Sequence, residues 1–253
     1  MIRSAANPAV RRARRLRKRQ WRERTSHVLI EGRRAVGAAL EAGAVDEVFY
    51  SGRAERRSAA LLERASASSV TLRAVSVELM ESIASGMPAP DVLGVGTLAV
   101  QPQSEAGAAP GLVLSGVHDP RTLAAILAAF AAHGGEEVVI GPRCADVLAP
   151  NVIRAAAGAH FRLRMRAAAR AGAALDRARE AGARVVRLGE GPPPWEADLG
   201  GAICLSVCGD DGDDGAAADV VVGVADAPLP LSLWTAQVLY EWTRQSRGGR
   251  SRG

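Results

Sequence analysis

Residues 112–165, LVLSGVHDPRTLAAILAAFAAHGGEEVVIGPRCADVLAPNVIRAAAGAHFRLRM, decide the fold class. The apolar run 112–117 predicts a buried strand, and the Ala/Leu-rich run 123–132 a helix. Residues 138–140 predict a second strand, 151–158 a short helix and 161–165 a third strand. Strands alternating with helices of about ten residues are the pattern of a parallel sheet covered on both faces. The fold class expected is therefore α/β. In such sheets ligands bind at loops beyond the carboxyl ends of the strands. Here those loops are residues 118–122, 141–150, 209–215 and 225–232.

On the C-terminal side the pattern continues. Residues 167–181 predict a helix, 184–188 a strand, and 191–194 a stiff Gly-Pro-Pro-Pro loop. Strands follow at 202–208 and 220–224, then a last helix at 232–247 and a Gly/Ser/Arg tail, 248–253, expected to be disordered. On the N-terminal side, 101–110 has the composition of a linker. Residues 25–100 predict a smaller α/β unit, with strands at 27–32, 45–50, 70–75 and 92–98 and helices at 33–42, 54–66 and 77–85. Residues 7–24 predict one basic helix whose large apolar side chains, Val10, Leu16 and Trp21, are too sparse for a buried stripe. The expected organisation is an arm at 1–24, a small α/β domain at 25–100, the linker, and a larger α/β domain at 111–247.

Composition narrows the class. With 48% hydrophobic and 23% charged residues among 253, the chain reads as a soluble globular protein. No apolar run approaches the roughly 20 residues of a membrane span, and no apolar stretch follows the N-terminal arginines as in a leader peptide. Cys144, Cys204 and Cys208 lack metal-ligand spacing, so no metal is expected. A sparse, odd set of thiols fits the cytoplasm, with Cys204 and Cys208 in the core. No P-loop, dinucleotide fingerprint or Ser/His/Asp set is present.

The distribution of charge says more than the net +5. Cations crowd the first 34 residues, among them Arg11, Arg12, Arg14, Arg15, Arg17, Lys18, Arg19, Arg22 and Arg33, opposed only by Glu23 and Glu31. Arg244, Arg247, Arg250 and Arg252 form a second cluster. Guanidinium forks hold phosphate oxygens in pairs, so a polyanion, nucleic acid, is the expected partner. The alternative is a solvated helix face.

At this point particular residues carry a resemblance. Asn7-Pro8 in the arm, Leu29-Ile30-Glu31-Gly32, and the unit up to Leu98 resemble the substrate-binding domain of the SpoU/TrmH family of RNA ribose 2′-O-methyltransferases. The second half resembles its SPOUT catalytic domain through Asp119-Pro120, Asn151-Val152-Ile153-Arg154-Ala155, Gly158-Ala159-His160-Phe161-Arg162-Leu163, and Val238-Leu239-Tyr240-Glu241 with Arg244. The resemblance implies a trefoil-knotted domain, a homodimer through that domain, and RNA, ribosomal RNA foremost, as substrate. It implies S-adenosylmethionine held by Gly209, Asp210, Asp211, Gly212, Val222, Val224, Leu229 and Leu231.

The departures bear on catalysis. The family's Asn-x-Gly and later arginine fall on Thr122, Ala124 and Ala128; its Gly-Asn-Glu-Gly on Gly209-Asp210-Asp211-Gly212; its Ser-Leu-Asn-Val-Ser on Pro228-Leu229-Pro230-Leu231-Ser232. Alanine can neither activate a hydroxyl nor hold phosphate, and two prolines remove two amide donors. The candidates left are His118, a base or a structural histidine, Arg121, two helical turns from Ala128, and Arg154, which either borders the pocket or packs the knot. Arg143 borders the pocket beside it, His160 is structural or RNA-facing, and Trp195, Trp234 and Trp242 either stack bases or pack. Two functions stay open: a diverged methyltransferase, and a catalytically inactive relative that binds RNA or another ligand.

Overall fold

The computed structural model describes residues 1–103, 109, 111–210, 217–223 and 229–248. Two compact units emerge: residues 1–99 with 146–162, and residues 100–145 with 163–253. The sequence places 146–162 with the second half; its packing places it with the first.

In chain order the first unit holds α1 (Pro8–Arg15), α2 (Arg19–Thr25), β1 (His27–Glu31), α3 (Arg33–Glu41), β2 (Val45–Tyr50), α4 (Gly52–Arg57), α5 (Ala59–Ala67), β3 (Thr71–Ala74), α6 (Val77–Ile83) and β4 (Val92–Thr97). The sheet order is β1-β4-β2-β3, antiparallel except for the parallel β2–β3 pair. Alternate residues leave a strand on opposite faces. Leu29, Phe49 and Leu93 accordingly join one core cluster with Val10, Leu16, Met80 and Ile83. Val28, Ile30, Val48 and Val92 join another with Val36 and Ile153.

This overturns the expectation of an arm without a buried stripe. Ala9, Val10, Ala13 and Leu16 are all buried and cover one face of the sheet. The spacing i, i+1, i+4, i+7 is an apolar stripe once alanines are counted. Nor is the arm one helix. It stops at Leu16 and restarts at Arg19, and Arg22 donates to the freed Leu16 carbonyl at 2.8 Å. The helix expected at 54–66 likewise breaks at Ser58, whose φ of −135° is not helical.

The chain then enters the second unit with β5 (Gln101–Pro102), β6 (Leu112–Ser115), α7 (Pro120–Ala132) and β7 (Glu137–Ile140). It returns to the first for α8 (Pro150–Ala155) and a 3-10 turn (Ala159–Phe161). It re-enters the second for β8 (Arg164–Ala167), α9 (Ala171–Glu180), β9 (Arg184–Leu188), β10 (Ile203–Cys208), β11 (Val220–Val222) and α10 (Leu231–Gly248). The sheet order is β11-β9-β10-β6-β7-β8-β5, and every pair is parallel. The parallel sheet expected from residues 112–165 is present, with its third strand starting at Arg164 rather than 161. The expected linker begins as an edge strand, where Pro102 needs no ladder donor. Its residues 104–108 and 110, and the tail from 249, lie outside the described residues.

Residues 150–162 are tied to the first unit in three ways. Ile153 enters the core cluster with Val28 and Ile30. Arg154 lies 3.6 Å from the buried Glu31 carboxylate, which also accepts from the Ser85 amide at 2.6 Å. Gly158, at φ +86°, is so close to α3 that a Cβ would stand 2.6 Å from that of Ala38, so only glycine serves. His160 is buried, and its Nε2–H donates to the Val147 carbonyl at 2.9 Å while Nδ1 has no partner. It is structural, not RNA-facing.

Burial lowers the His160 pKa to about 4. The unfolded chain therefore takes up a proton near pH 6.5 that the folded chain refuses. Stability is full above that value and falls as pH drops toward 4, by up to about 3 kcal/mol. Denaturant titrations of His160→Gln between pH 7 and 4 are expected to lose this acid slope.

Candidate functional site

Two regions concentrate chemistry, one in each unit. In the first unit, Asn7 caps α1 by accepting from the Ala9 amide at 3.0 Å, and Pro8 opens the helix where no donor is needed. With one face of α1 buried, its arginines project on the other. They divide into two sets. Arg12 pairs with the buried Glu47 at 2.5 Å, joined there by Arg73 at 2.8 Å. Arg19 pairs with Glu23, and Arg22 is buried and paired with Asp146. Arg22, expected at the RNA surface, is thus a structural cation.

Arg11, Arg14, Arg15, Arg17, Lys18 and Arg33 are exposed and have no carboxylate within ion-pair distance among the described residues. Arg17 and Arg33 donate only to carbonyls, of Ser82 and Arg57. Five of these cations line one groove of about 710 Å³ with Trp21 and Ser85. The guanidiniums of Arg15 and Arg24 lie over the Trp21 ring, 4.6 and 5.6 Å from its centroid. Of the other cationic cluster, Arg244 is held by Glu241 at 2.6 and 2.9 Å, and Arg250 and Arg252 lie outside the described residues.

In the second unit the carboxyl ends of the strands share one feature. β6, β7, β9, β10 and β11 are each followed at once by glycine: Gly116, Gly141, Gly189, Gly209 and Gly223. A Cβ on Gly209 would stand 2.1 Å from the Gly116 carbonyl oxygen, on Gly141 2.6 Å from that of Leu114, and on Gly223 2.0 Å from that of Gly189. A Cβ on Gly191 would meet the Val221 oxygen at 2.4 Å. Backbone thus lies on backbone. The Gly223 amide donates to Pro192 and the Gly189 amide to Val222, at 2.8 and 2.9 Å.

Beside these ends is a cavity of about 310 Å³ lined by Leu188, Gly189, Asp210, Val222, Leu229, Leu231 and Trp234. Of the residues that the sequence assigned to a cofactor, Asp210, Val222, Leu229 and Leu231 meet here, and Gly209 adjoins. Asp211, Gly212 and Val224 lie outside the described residues. Leu188, Gly189 and Trp234 were missed, although the Gly that follows five of the strands was a visible signal. Pro230 precedes α10 and accepts from the Leu233 and Trp234 amides at 2.9 and 3.2 Å, a position where its missing donor costs the helix nothing.

The catalytic candidates separate. His118 and Arg121 are exposed, on either side of Asp119 at the start of α7. Asp119 accepts from the Thr122 hydroxyl and amide, both at 2.8 Å, which hold its pKa below the usual range and make it a helix cap. Arg154 belongs to the first unit, bound to Glu31 and, at 3.3 Å, the Pro88 carbonyl. That is a packing role. Ala124 is buried and Ala128 half-buried on α7. Burial raises the Cys144 thiol, and pushes that of Cys204 up to about 12. Among the described residues, no cluster of three metal-ligating side chains occurs.

A parallel sheet with glycine after five of its seven strands, in a chain that also carries a small α/β unit with a basic face, is the SPOUT methyltransferase architecture. Comparison with known proteins agrees. Residues 7–93 match the MRM3-like substrate binding domain, and residues 110–206 the SpoU rRNA Methylase family. Residues 110–206 thus belong to the SpoU rRNA Methylase family. The chain is 29% identical over 152 residues to human mitochondrial rRNA methyltransferase 3, covering 57% of this chain and 36% of that protein. The chain thus spans about a third of the length of the curated relatives it matches. A crystal structure of an RNA 2′-O ribose methyltransferase superimposes with a TM-score of 0.78 at 27% identity, covering 96% of this chain and 98% of that one. The AdoMet complex of the SpoU methyltransferase AviRb from Streptomyces viridochromogenes shares the fold, with a TM-score of 0.78 at 21% identity, over 98% of this chain and all of that one.

The strand-end contacts make a sharp prediction. Gly223→Ala is expected to cost about 1–3 kcal/mol by overpacking. Gly52→Ala, where a Cβ meets nothing within 4 Å, should stay within about 0.5 kcal/mol. Equal melting temperatures would show that the strand ends part freely.

Proposed function

We propose that this protein is an S-adenosylmethionine-dependent RNA 2′-O-methyltransferase acting on ribosomal RNA. The observation that carries the reading is the glycine edge with its adjoining cavity. A Cβ at those positions would fill the space, so the edge presents bare backbone. Leu188, Val222, Leu229, Leu231 and Trp234 offer apolar walls suited to an adenine, and the exposed Asp210 carboxylate stands at the rim to accept from hydroxyl or amino groups. The residues present fit the cofactor.

When bound, S-adenosylmethionine supplies an activated methyl group for a ribose 2′ oxygen. The chain's own part is to orient cofactor and ribose and to remove the hydroxyl proton. Holding two reactants in register is a large share of such catalysis. Ala128 cannot supply the arginine that the family resemblance places there. His118 and Arg121, exposed just after β6, are the candidates for handling that proton. Ala128 and the prolines also sustain a second reading, an RNA-binding protein without methyl transfer.

The resemblance further implies a trefoil knot and a homodimer. Supporting the knot are the close backbone approaches at Gly116–Gly209 and Gly189–Gly223. Supporting the dimer is an apolar groove of about 480 Å³ on α10, where Trp195, Leu233 and Tyr240 are 58%, 53% and 62% exposed beside Pro194, Leu229 and Ala236. Three free thiols fit a reducing compartment such as the cytoplasm.

Calorimetric titration with S-adenosylmethionine is expected to show one site per protomer. Asp210→Arg, an exposed position at the cavity rim, should strongly weaken that binding and leave RNA binding and the melting transition in place. Cofactor binding followed by methyl transfer to ribosomal RNA supports the enzyme. Absence of cofactor binding in a folded protein that still binds RNA supports the second reading. In sedimentation the protein is expected to run as a dimer and Leu233→Arg as a monomer; a wild-type monomer at micromolar concentration would remove the dimer.

A further inference from the structure

We propose that Trp21 is a stacking platform for an unpaired base of the RNA, with Arg11, Arg14, Arg15 and Lys18 holding the phosphates on either side. The proposal rests on the RNA-directed reading above and narrows it to RNA with accessible base faces.

The basic groove contains a group that charge does not explain. Every residue lining it is a cation except Trp21 and Ser85. Trp21 also lines a second cavity, of about 460 Å³, with Pro8, Arg12, Leu16 and Thr25; Arg11 and Arg15 border both. The indole therefore stands where the two grooves meet. It is half-buried, so its position is held, and it is reached from both sides.

What covers the indole shows what it accepts. The Arg15 and Arg24 guanidiniums lie over the ring, and a planar guanidinium takes the same place on an aromatic face as a nucleobase does. Neither arginine has a carboxylate partner among the described residues, whereas Arg12, Arg19 and Arg22 each have one. The cations next to the indole are thus those left for phosphate. Two like charges over one ring repel, and an RNA strand relieves this by drawing the guanidiniums to its phosphates while a base covers the ring.

This geometry selects among RNAs. In an A-form duplex the base faces are stacked inside, so a duplex meets the cations alone. A loop, bulge or single strand meets cations and indole together. Stacking is tolerant of sequence, since every base has a π-face. Trp21 would hold a strand in register without reading its identity.

The test uses the full chain with three probes: an unstructured single-stranded RNA, a fully paired RNA of the same length, and inorganic polyphosphate, a polyanion without bases. For Trp21→Ala, single-strand affinity is expected to fall about tenfold or more, with an unchanged salt slope because no cation is lost. Affinity for duplex and polyphosphate should not change. Trp21→Phe, which keeps a π-face, should retain most of the single-strand affinity. Trp21→Leu, which fills the space without one, should be as weak as alanine. Equal losses on all three probes, or full single-strand affinity in the leucine variant, would overturn the proposal. Trp21-dependent binding without methyl transfer would overturn the enzyme reading alone, and a wild-type protein that binds no RNA would overturn both.

Discussion

The second unit depends on one constraint, the approach of backbone to backbone at the carboxyl edge of its sheet. Five of the seven parallel strands continue at once into glycine, and at Gly141, Gly209 and Gly223 a side chain would need space that carbonyl oxygens occupy. The edge is consequently both rigid and bare. The Gly189, Gly209 and Gly223 amides each donate to a backbone carbonyl, of Val222, Ser115 and Pro192, beside the adjoining cavity. Mechanical order and chemical access have the same cause there.

In the first unit, the corresponding organising feature is a pair of buried carboxylates. Glu47 draws Arg12 from α1 and Arg73 from β3, and Glu31 draws Arg154 from α8. Burying one partner without the other would be costly, so each carboxylate fixes where an arginine must stand. The N-terminal cations are then sorted. Those beside an acid are scaffold, and the remainder, with Trp21, form a surface of uncompensated positive charge. A basic segment read as one patch is two populations with different tasks.

Much of this was legible in the sequence. The parallel sheet followed from apolar runs alternating with helices, and the family from the segment between Arg154 and Leu163, whose glycine and buried histidine have local structural reasons. The buried face of α1 was not legible, because two of its four buried residues are alanines that a search for large apolar residues passes over. The breaks at Leu16 and Ser58 were hidden because neither residue is a glycine or proline, and nothing else in the local sequence marks a stop. The cofactor loops were located by family motif, yet Leu188, Gly189 and Trp234 complete the cavity because the ends of β9 and α10 converge with them in space. Arg22 and Arg154 were misread since ion pairing with Asp146 and Glu31 spans long stretches of chain.

The return of residues 146–162 to the first unit bears on the order in which the protein is made. A nascent chain that has emerged only to residue 99 lacks Ile153 for one core cluster, Arg154 for Glu31 and Asp146 for Arg22. Its first unit closes only after β6, α7 and β7 have also been synthesised. The N-terminal unit is thus first in sequence yet waits for half of its neighbour's sheet to be made, and it closes while β8 to α10 are still to come.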